Sequence, residues 1–165
     1  MKKEAKTTHL NTLYESIIKK LLSNKANFRI IEHKPLFTME DVFDTLDIKP
    51  EQMGKTMLLF AESCGVIAVV VPGSLKVDLA KVAKSISKPR NKVKFSDRKE
   101  VESLGISVGA ISPFFDCVSK VIVDKSFLSQ EMVYCGSGDL GRTISISVED
   151  LIKITSAQVA DVVKE

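Results

Sequence analysis

The sequence has few of the residues from which metal centres and disulfide frameworks are built. Its 165 residues include two histidines and three cysteines, and the cysteines, Cys64, Cys117 and Cys135, lie far apart. An odd number of widely spaced cysteines fits neither a disulfide framework nor the close-paired thiols of a zinc site. We therefore expect reduced thiols, a cytoplasmic protein, and no metal ion or other cofactor.

Long apolar segments and nucleophile motifs are also missing. The longest apolar run, Val66 to Val71, is too short to span a bilayer, and no apolar stretch of signal-peptide length follows the basic N-terminus. No serine or cysteine occupies a Gly-x-Ser-x-Gly elbow. We expect no membrane association, and an enzyme of this sequence would work without a covalent nucleophile.

The remaining composition is that of an ordinary folded domain. Apolar residues make up 44% and charged residues 27%, which argues against disorder, and 165 residues suit one core. Helical and strand patterns alternate along the chain without an internal repeat. The sequence predicts a single compact α/β domain with a mixed sheet, over residues 10–165 after a tail of residues 1–9, and a monomer.

Periodicity places the elements. Leu10 to Leu22 has the i, i+3, i+4 spacing of an amphipathic helix, and Thr38 with Asp41 predicts a capped helix start. A further helix is predicted from Leu79 to Ile86, and another is capped by Ser96 or Asp97 and ended by Gly105. The predicted strands are Phe28–Glu32, Lys55–Ala61, Val66–Val71, Val118–Val123, Met132–Cys135 and Thr143–Ser147. After them we expect a turn of helix at Glu149–Ile152 and a C-terminal helix.

Gly54-Lys55-Thr56 is similar to the end of a phosphate-binding P-loop. That motif requires a glycine where Lys49 stands and leads into a helix, whereas this segment leads into an apolar strand. The nucleotide-hydrolase interpretation is therefore rejected. Lys55 can either extend to solvent from a buried strand or serve a site.

Two glycine-containing segments are candidate walls of a site. Gly109-Ala110-Ile111-Ser112-Pro113 is either an ordinary turn or a rigid loop that directs backbone N–H groups at a substrate carbonyl. Gly136-Ser137-Gly138 is either a plain hairpin or the opposite wall of a pocket.

Basic residues are concentrated between Lys76 and Lys99. This excess is explained equally well by a solvated helix face or by a phosphate-backbone footprint. The residues predicted to contact a nucleic acid are Lys76, Lys81, Lys84, Lys88, Arg90 and Lys92.

The order of these segments resembles one family. Phe28 to Pro35, Phe37-Thr38, Lys55-Thr56, Val71-Pro72-Gly73, Gly109-x-x-x-Pro113 and Glu149-Asp150-Leu151 follow one another as in the YbaK and prolyl-tRNA-synthetase-associated editing domains. The resemblance extends from about Phe28 to the last residue. It implies a curved mixed sheet wrapped by helices, and a deacylase that removes a mischarged small amino acid from the acceptor end of tRNA, commonly tRNA-Pro. Prolyl-tRNA synthetase is the partner it suggests.

The resemblance also assigns the site. It implies that Lys55 acts near the acylated 3′ end and that the loop Gly109, Ala110, Ile111, Ser112 and Pro113 positions the ester. The predicted substrate pocket consists of Phe28, Ile31, His33, Phe37, Gly136, Ser137, Gly138 and Thr143. Phe28, Phe37 and Thr143 can equally be packing residues.

Departures from the family pattern leave two questions open. The family usually has a second glycine at the position of Ala110, and a glycine where this chain has Phe114-Phe115-Asp116. The amino acid removed can be cysteine, alanine, serine or threonine. The alternative function is a non-catalytic module that binds the tRNA acceptor end.

Overall fold

A single mixed sheet forms the centre of the structure, a computed structural model that describes the backbone of residues 2–165 and the side chains of residues 12–165. The strands described are Phe28–Glu32 (β1), Met53–Ala61 (β2), Gly65–Pro72 (β3), Val93–Phe95 (β4), Lys120–Asp124 (β5), Met132–Gly136 (β6), Arg142–Ser147 (β7) and Gln158–Ala160 (β8). They form one sheet in the order β1-β7-β6-β2-β3-β5-β8, with β4 paired to β2.

The sheet contains both parallel and antiparallel pairs of strands. The predicted hairpin is β2–β3, antiparallel from Gly54 opposite Pro72 to Ala61 opposite Gly65. β3 runs parallel to β5, β5 parallel to β8, and β2 parallel to β6. The mixed-sheet α/β domain predicted from the sequence is confirmed.

The described helices are Lys2–Ser23 (α1), Met39–Leu46 (α2), Leu79–Ser85 (α3), Arg98–Ser103 (α4) and Val148–Thr155 (α5). Two of them, α2 and α4, begin at caps that the sequence predicted. Thr38 and Asp41 form a full capping box on α2, Asp97 caps α4, and Gly105 has a left-handed φ of 79°. No helix among the described residues is long and apolar enough to cross a membrane.

Helix α1 begins well before Leu10, where the apolar spacing starts. It takes in residues 2–9, which were predicted to be a tail. Met1 and the side chains of residues 2–11 lie outside the described residues.

Apolar side chains cover both faces of the sheet, which explains the continuous run from Val66 to Val71 in a central strand. On one face Ala68 and Val70 pack with Ile17 and Leu21 of α1 and with Leu151 of α5. On the other face Val69 and Val71 pack beneath Val82 and Ala83 of α3. Helices α1 and α3 therefore lie on opposite faces of the sheet.

The predicted C-terminal helix is wrong. The chain after α5 forms β8 beside β5, and Val77 pairs with Val163 in an isolated bridge. The buried carboxylate of Asp124 accepts a hydrogen bond from the N–H of Val162 at 3.0 Å. Pairing with distant strands determines the conformation here.

Candidate functional site

A cavity of about 250 Å³ opens where two parallel strands separate. β2 pairs with β6 only at Met53 and Gly54, and it pairs with β4 only from Leu59 onward. Between these contacts the edge of β2 has no neighbouring strand, and the cavity fills that gap. Its lining consists of His33, Leu36, Phe37, Thr38, Met39, Val42, Met53, Gly54, Lys55, Thr56, Met57, Val108, Gly109, Ala110, Ile111, Gly136, Asp139, Leu140, Arg142 and Thr143.

Lys55 is a half-buried residue of β2 that lines this cavity. Its Nζ donates a hydrogen bond to the carbonyl oxygen of Leu75 at 2.8 Å. Burial, followed by the positive charge of Lys76, lowers the pKa of the Lys55 ammonium below its ordinary value of 10.5. One of three N–H bonds is used in this contact, so the ammonium keeps donors for an anionic or carbonyl ligand.

The first three of the five residues of the Gly109–Pro113 loop line the cavity. Gly109, Ala110 and Ile111 line it, beginning with a short 3₁₀ turn over Val108–Ala110. The N–H of Ala110 donates to the carbonyl of Ser107 at 2.9 Å and is therefore already engaged. Ser112 is fully buried and Pro113 lies away from the cavity, so these two residues anchor the loop.

Gly136 holds the loop in place through a backbone contact. A Cβ atom added at Gly136 would lie 2.0 Å from the carbonyl oxygen of Ile111 and 2.9 Å from its carbonyl carbon. No side chain can occupy that space without displacing the loop. Gly136 is thus the support on which the Gly109–Pro113 loop rests.

His33 and Thr143 form a fixed polar wall. The His33 ring contacts the carbonyl oxygen of Lys34 through Nδ1 at 2.7 Å and the Thr143 hydroxyl through Nε2 at 2.8 Å. A carbonyl oxygen can only accept, so Nδ1 carries a proton and donates it to Lys34. Phe37 follows on the rim, with 68% of its surface exposed.

Sequence reasoning missed Asp139 and Arg142, and it named Thr56 only within the Lys55-Thr56 motif without assigning it to the site. Thr56 is 6% exposed and its Oγ1 has no hydrogen-bond partner among the described residues. The Arg142 guanidinium lies 3.8 Å from the carboxylate of Asp139 and 4.4 Å from the ring centre of Tyr14 on α1. Thr56 adjoins a residue the sequence did single out, whereas nothing in the sequence marks Arg142.

Several predicted site residues lie elsewhere. Phe28 packs against the larger core, and Ile31 is half-buried outside the cavity lining. Ser137 is buried and donates to the carbonyl of Arg142 at 2.6 Å, and Gly138 has a left-handed φ of 85°. These two residues shape the β6–β7 turn that carries Arg142 and Thr143.

Part of the basic segment is neutralised by ion pairs or engaged in hydrogen bonds. Lys81 pairs with Asp161 at 3.1 Å and Lys92 with Glu62 at 2.9 Å, while Arg90 donates to the carbonyl of Val93. Within residues 12–165, Lys76, Lys84 and Lys88 form no ion pair. None of the six predicted contacts lines the cavity, although Lys76 is close enough to Lys55 to affect its pKa.

The three cysteines lie outside the cavity lining. Burial raises the pKa of the Cys135 thiol to about 12, so this thiol is neutral at physiological pH. In the described part of the chain, no three histidine, cysteine or carboxylate residues are grouped so that they could hold a metal ion.

Comparison with protein families and curated proteins gives consistent matches. The family model of the aminoacyl-tRNA editing domain matches residues 33–154. The prolyl-tRNA editing protein ProX of Acetoanaerobium sticklandii is 28% identical over 150 residues, covering 87% of this chain and 90% of ProX. EbsC of Enterococcus faecalis, described as a candidate Cys-tRNA(Pro)/Cys-tRNA(Cys) deacylase, is 25% identical over 74% of this chain and 75% of its own.

Solved structures share the fold. A crystal structure of a hypothetical protein superposes with a TM-score of 0.82 at 26% identity, covering 90% of this chain and 99% of that one. A candidate trans-editing enzyme for prolyl-tRNA synthetase superposes with a TM-score of 0.78 at 19% identity, over 92% of this chain and 98% of the other.

Proposed function

This chain belongs to the aminoacyl-tRNA editing domain family, and we propose that it is a deacylase that hydrolyses the ester of a mischarged small amino acid on tRNA, acting in trans. The observation that carries the proposal is the meeting of Lys55 and the Gly109–Ile111 backbone around one cavity. An aminoacyl ester is intrinsically labile, so the protein needs mainly to position it and to polarise its carbonyl.

Lys55 is proposed to bind the terminal phosphate or ribose of the acylated nucleotide. Its ammonium is tethered by the Leu75 carbonyl at 2.8 Å, which limits the positions it can reach. A pre-positioned cation lowers the energy of developing negative charge more effectively than a mobile one. Lys76 adds a second positive charge beside it.

The loop is proposed to hold the ester carbonyl through the N–H groups of Gly109 and Ile111. The N–H of Ala110 already donates to Ser107, so it is not assigned this role. The neighbouring ribose hydroxyl of the substrate orients the attacking water.

The cavity volume favours a small substrate group. About 250 Å³ is below the usual range of ligand pockets, so it can take a small aminoacyl group while the nucleotide lies across its mouth. Phe37, exposed on the rim, offers an aromatic surface on which the terminal base can stack.

The binding-module alternative rested on the residues after Pro113. Phe114 and Phe115 are 2% and 4% exposed and pack in the larger core. They do not line the cavity, so their departure from the family pattern does not obstruct a substrate there. The enzyme is therefore the function we propose.

We propose tRNA-Pro as the substrate tRNA because ProX is described as a prolyl-tRNA editing protein and EbsC as a candidate deacylase of Cys-tRNA(Pro) and Cys-tRNA(Cys). Prolyl-tRNA synthetase is the proposed partner, and we propose a cytoplasmic monomer that contacts mainly the acceptor end.

The test is release of amino acid from tRNA-Pro charged with cysteine, alanine, serine or threonine. We expect wild-type protein to release at least one of them, and Lys55→Ala to be about 100-fold slower. Lys19→Ala, at an exposed position on α1, should match wild type. Binding of tRNA without release of any amino acid would instead establish the binding module.

A further inference from the structure

Thr56 carries the one hydroxyl in the described structure that is buried and unpaired. It is 6% exposed and belongs to the cavity lining. Buried polar atoms without a partner are rare in native proteins and call for an explanation.

The other polar side chains of the cavity already have partners. His33 and Thr143 bond to each other, Thr38 accepts from the N–H of Asp41, and the Asp139 carboxylate accepts from the N–H of Gly141. Lys55 donates to Leu75. Thr56 thus differs from these neighbours in that its hydroxyl has no hydrogen-bond partner at all in the described structure.

The backbone of Thr56 faces the same gap. The carbonyl oxygen of Leu58 points away from β3, because it accepts from the N–H of Ser96. In a strand, residues two apart turn their N–H and C=O groups to the same edge, so those of Thr56 face the side on which β2 has no neighbouring strand.

Depth determines which part of a substrate Thr56 can meet. Gly109 is exposed and Lys55 half-buried, so the ester that they hold lies near the mouth. Thr56 is buried, and the group that extends farthest inward from the ester is the side chain of the amino acid.

We propose that Thr56 selects the substrate by hydrogen bonding to a hydroxyl or thiol on the bound aminoacyl group. This inference rests on the proposed deacylase function and narrows it to serine, threonine or cysteine esters over alanine. An alanyl group would present only a methyl to Thr56 and leave its hydroxyl without a partner. A site built to bond a substrate hydroxyl discriminates strongly against an analogue that lacks one.

The experiment compares kcat/KM on seryl-, cysteinyl- and alanyl-tRNA-Pro for wild type, Thr56→Val and Thr56→Ser. We expect wild type to prefer the seryl or cysteinyl ester over alanyl by about tenfold or more. Thr56→Val, which keeps the shape of the side chain, should lose that preference chiefly by slower release of serine and cysteine. Thr56→Ser should retain it, and Thr155→Val, outside the cavity, should behave as wild type.

Other outcomes would overturn the proposal. An equal fall of kcat/KM on all three esters in Thr56→Val would mean that Thr56 contacts a part of the substrate that the three esters share. Wild-type preference for the alanyl ester would exclude the proposal without any variant, even if Thr56→Val fails to fold. Failure of wild type to release any amino acid would contradict the deacylase function itself, a result separate from a changed preference.

Discussion

At the scale of single residues, the site depends on a glycine that never touches the substrate in our proposal. Gly136 supports the carbonyl of Ile111, which would lie 2.0 Å from an added Cβ. In our proposal Lys55, Thr56 and the Gly109–Pro113 loop contact the substrate. The close approach between the backbones of Gly136 and Ile111 determines where the loop lies relative to the two side chains.

Gly136→Ala should therefore impair catalysis more than folding. The added methyl must displace the Gly109–Pro113 loop, and a displacement near 1 Å is enough to lower kcat/KM by about 100-fold. The measurement is deacylation kinetics together with thermal unfolding.

Gly65→Ala is the matched control. Gly65 has a φ of 85° in the β2–β3 turn, so alanine there should destabilise by about 1–3 kcal/mol while kcat/KM stays at the wild-type value. A Gly136→Ala protein with unchanged kcat/KM would show that the loop does not need this support.

Sequence reasoning could reach some of these residues but not others. Lys55 stood out because a lysine interrupts an apolar strand, and the loop because glycine and proline bracket it. The contact between Gly136 and Ile111 joins residues 25 positions apart and leaves no local pattern. Thr56 is likewise notable only because the fold buries its hydroxyl without a partner.

At the scale of elements, α1 reaches the site although it precedes the segment 33–154 that the family model matches. The Lys20 ammonium donates to the carbonyl of Phe114 at 2.8 Å and pairs with Asp116. This bond lowers the pKa of the Asp116 carboxyl below its ordinary value. Tyr14, on the same helix, stacks its ring against the guanidinium of Arg142, which lines the cavity. Helix α1 thus contacts both sides of the site: Lys20 holds the segment that follows the Gly109–Pro113 loop, and Tyr14 holds Arg142. We call the contact of Lys20 with Phe114 the brace.

Lys20→Met should loosen the loop while keeping the helix. Because the bond to Phe114 is lost, we expect kcat/KM to fall roughly tenfold and the free energy of unfolding to drop by about 1–2 kcal/mol. Deacylation kinetics and chemical denaturation measure the two effects.

Lys19→Met is the matched control for this change. It removes an exposed lysine from the same helix turn, so both quantities should stay at wild-type values. Equal behaviour of the two variants would refute the brace.

Element prediction succeeded where local signals dominated. The capping box at Thr38 and the alternation in β7 determined their elements. The C-terminal segment has valines at 159, 162 and 163, a helix-like spacing, but pairing with β5 and the bond to Asp124 make it extended. The three-residue β4 has too little sequence to show a period.

At the scale of the whole molecule, ion pairs reduce the positive charge of the segment from Lys76 to Lys99. Of the nine basic residues between Lys76 and Lys99, four are held in ion pairs by Asp161, Glu62, Glu100 and Glu102. The footprint available to a phosphate backbone is therefore smaller than the cluster, and we place it at Lys76, Lys84 and Lys88.

Salt dependence of tRNA binding tests this footprint. Lys84→Ala should reduce the slope of log K against log salt by about 0.7–0.9, the value for loss of one phosphate contact. Lys94→Ala removes a lysine paired with Glu100 at 3.2 Å and should leave the slope unchanged. Equal slopes in wild type and Lys84→Ala would place the contact elsewhere.

The central claim is that Lys55 promotes ester hydrolysis in the cavity beneath the Gly109–Pro113 loop. Single-turnover deacylation of mischarged tRNA-Pro at saturating enzyme tests it most directly, because saturation removes any difference in tRNA affinity. We expect the rate constant of Lys55→Ala to be about 100-fold below that of wild type. A rate constant equal to that of wild type would contradict the claim.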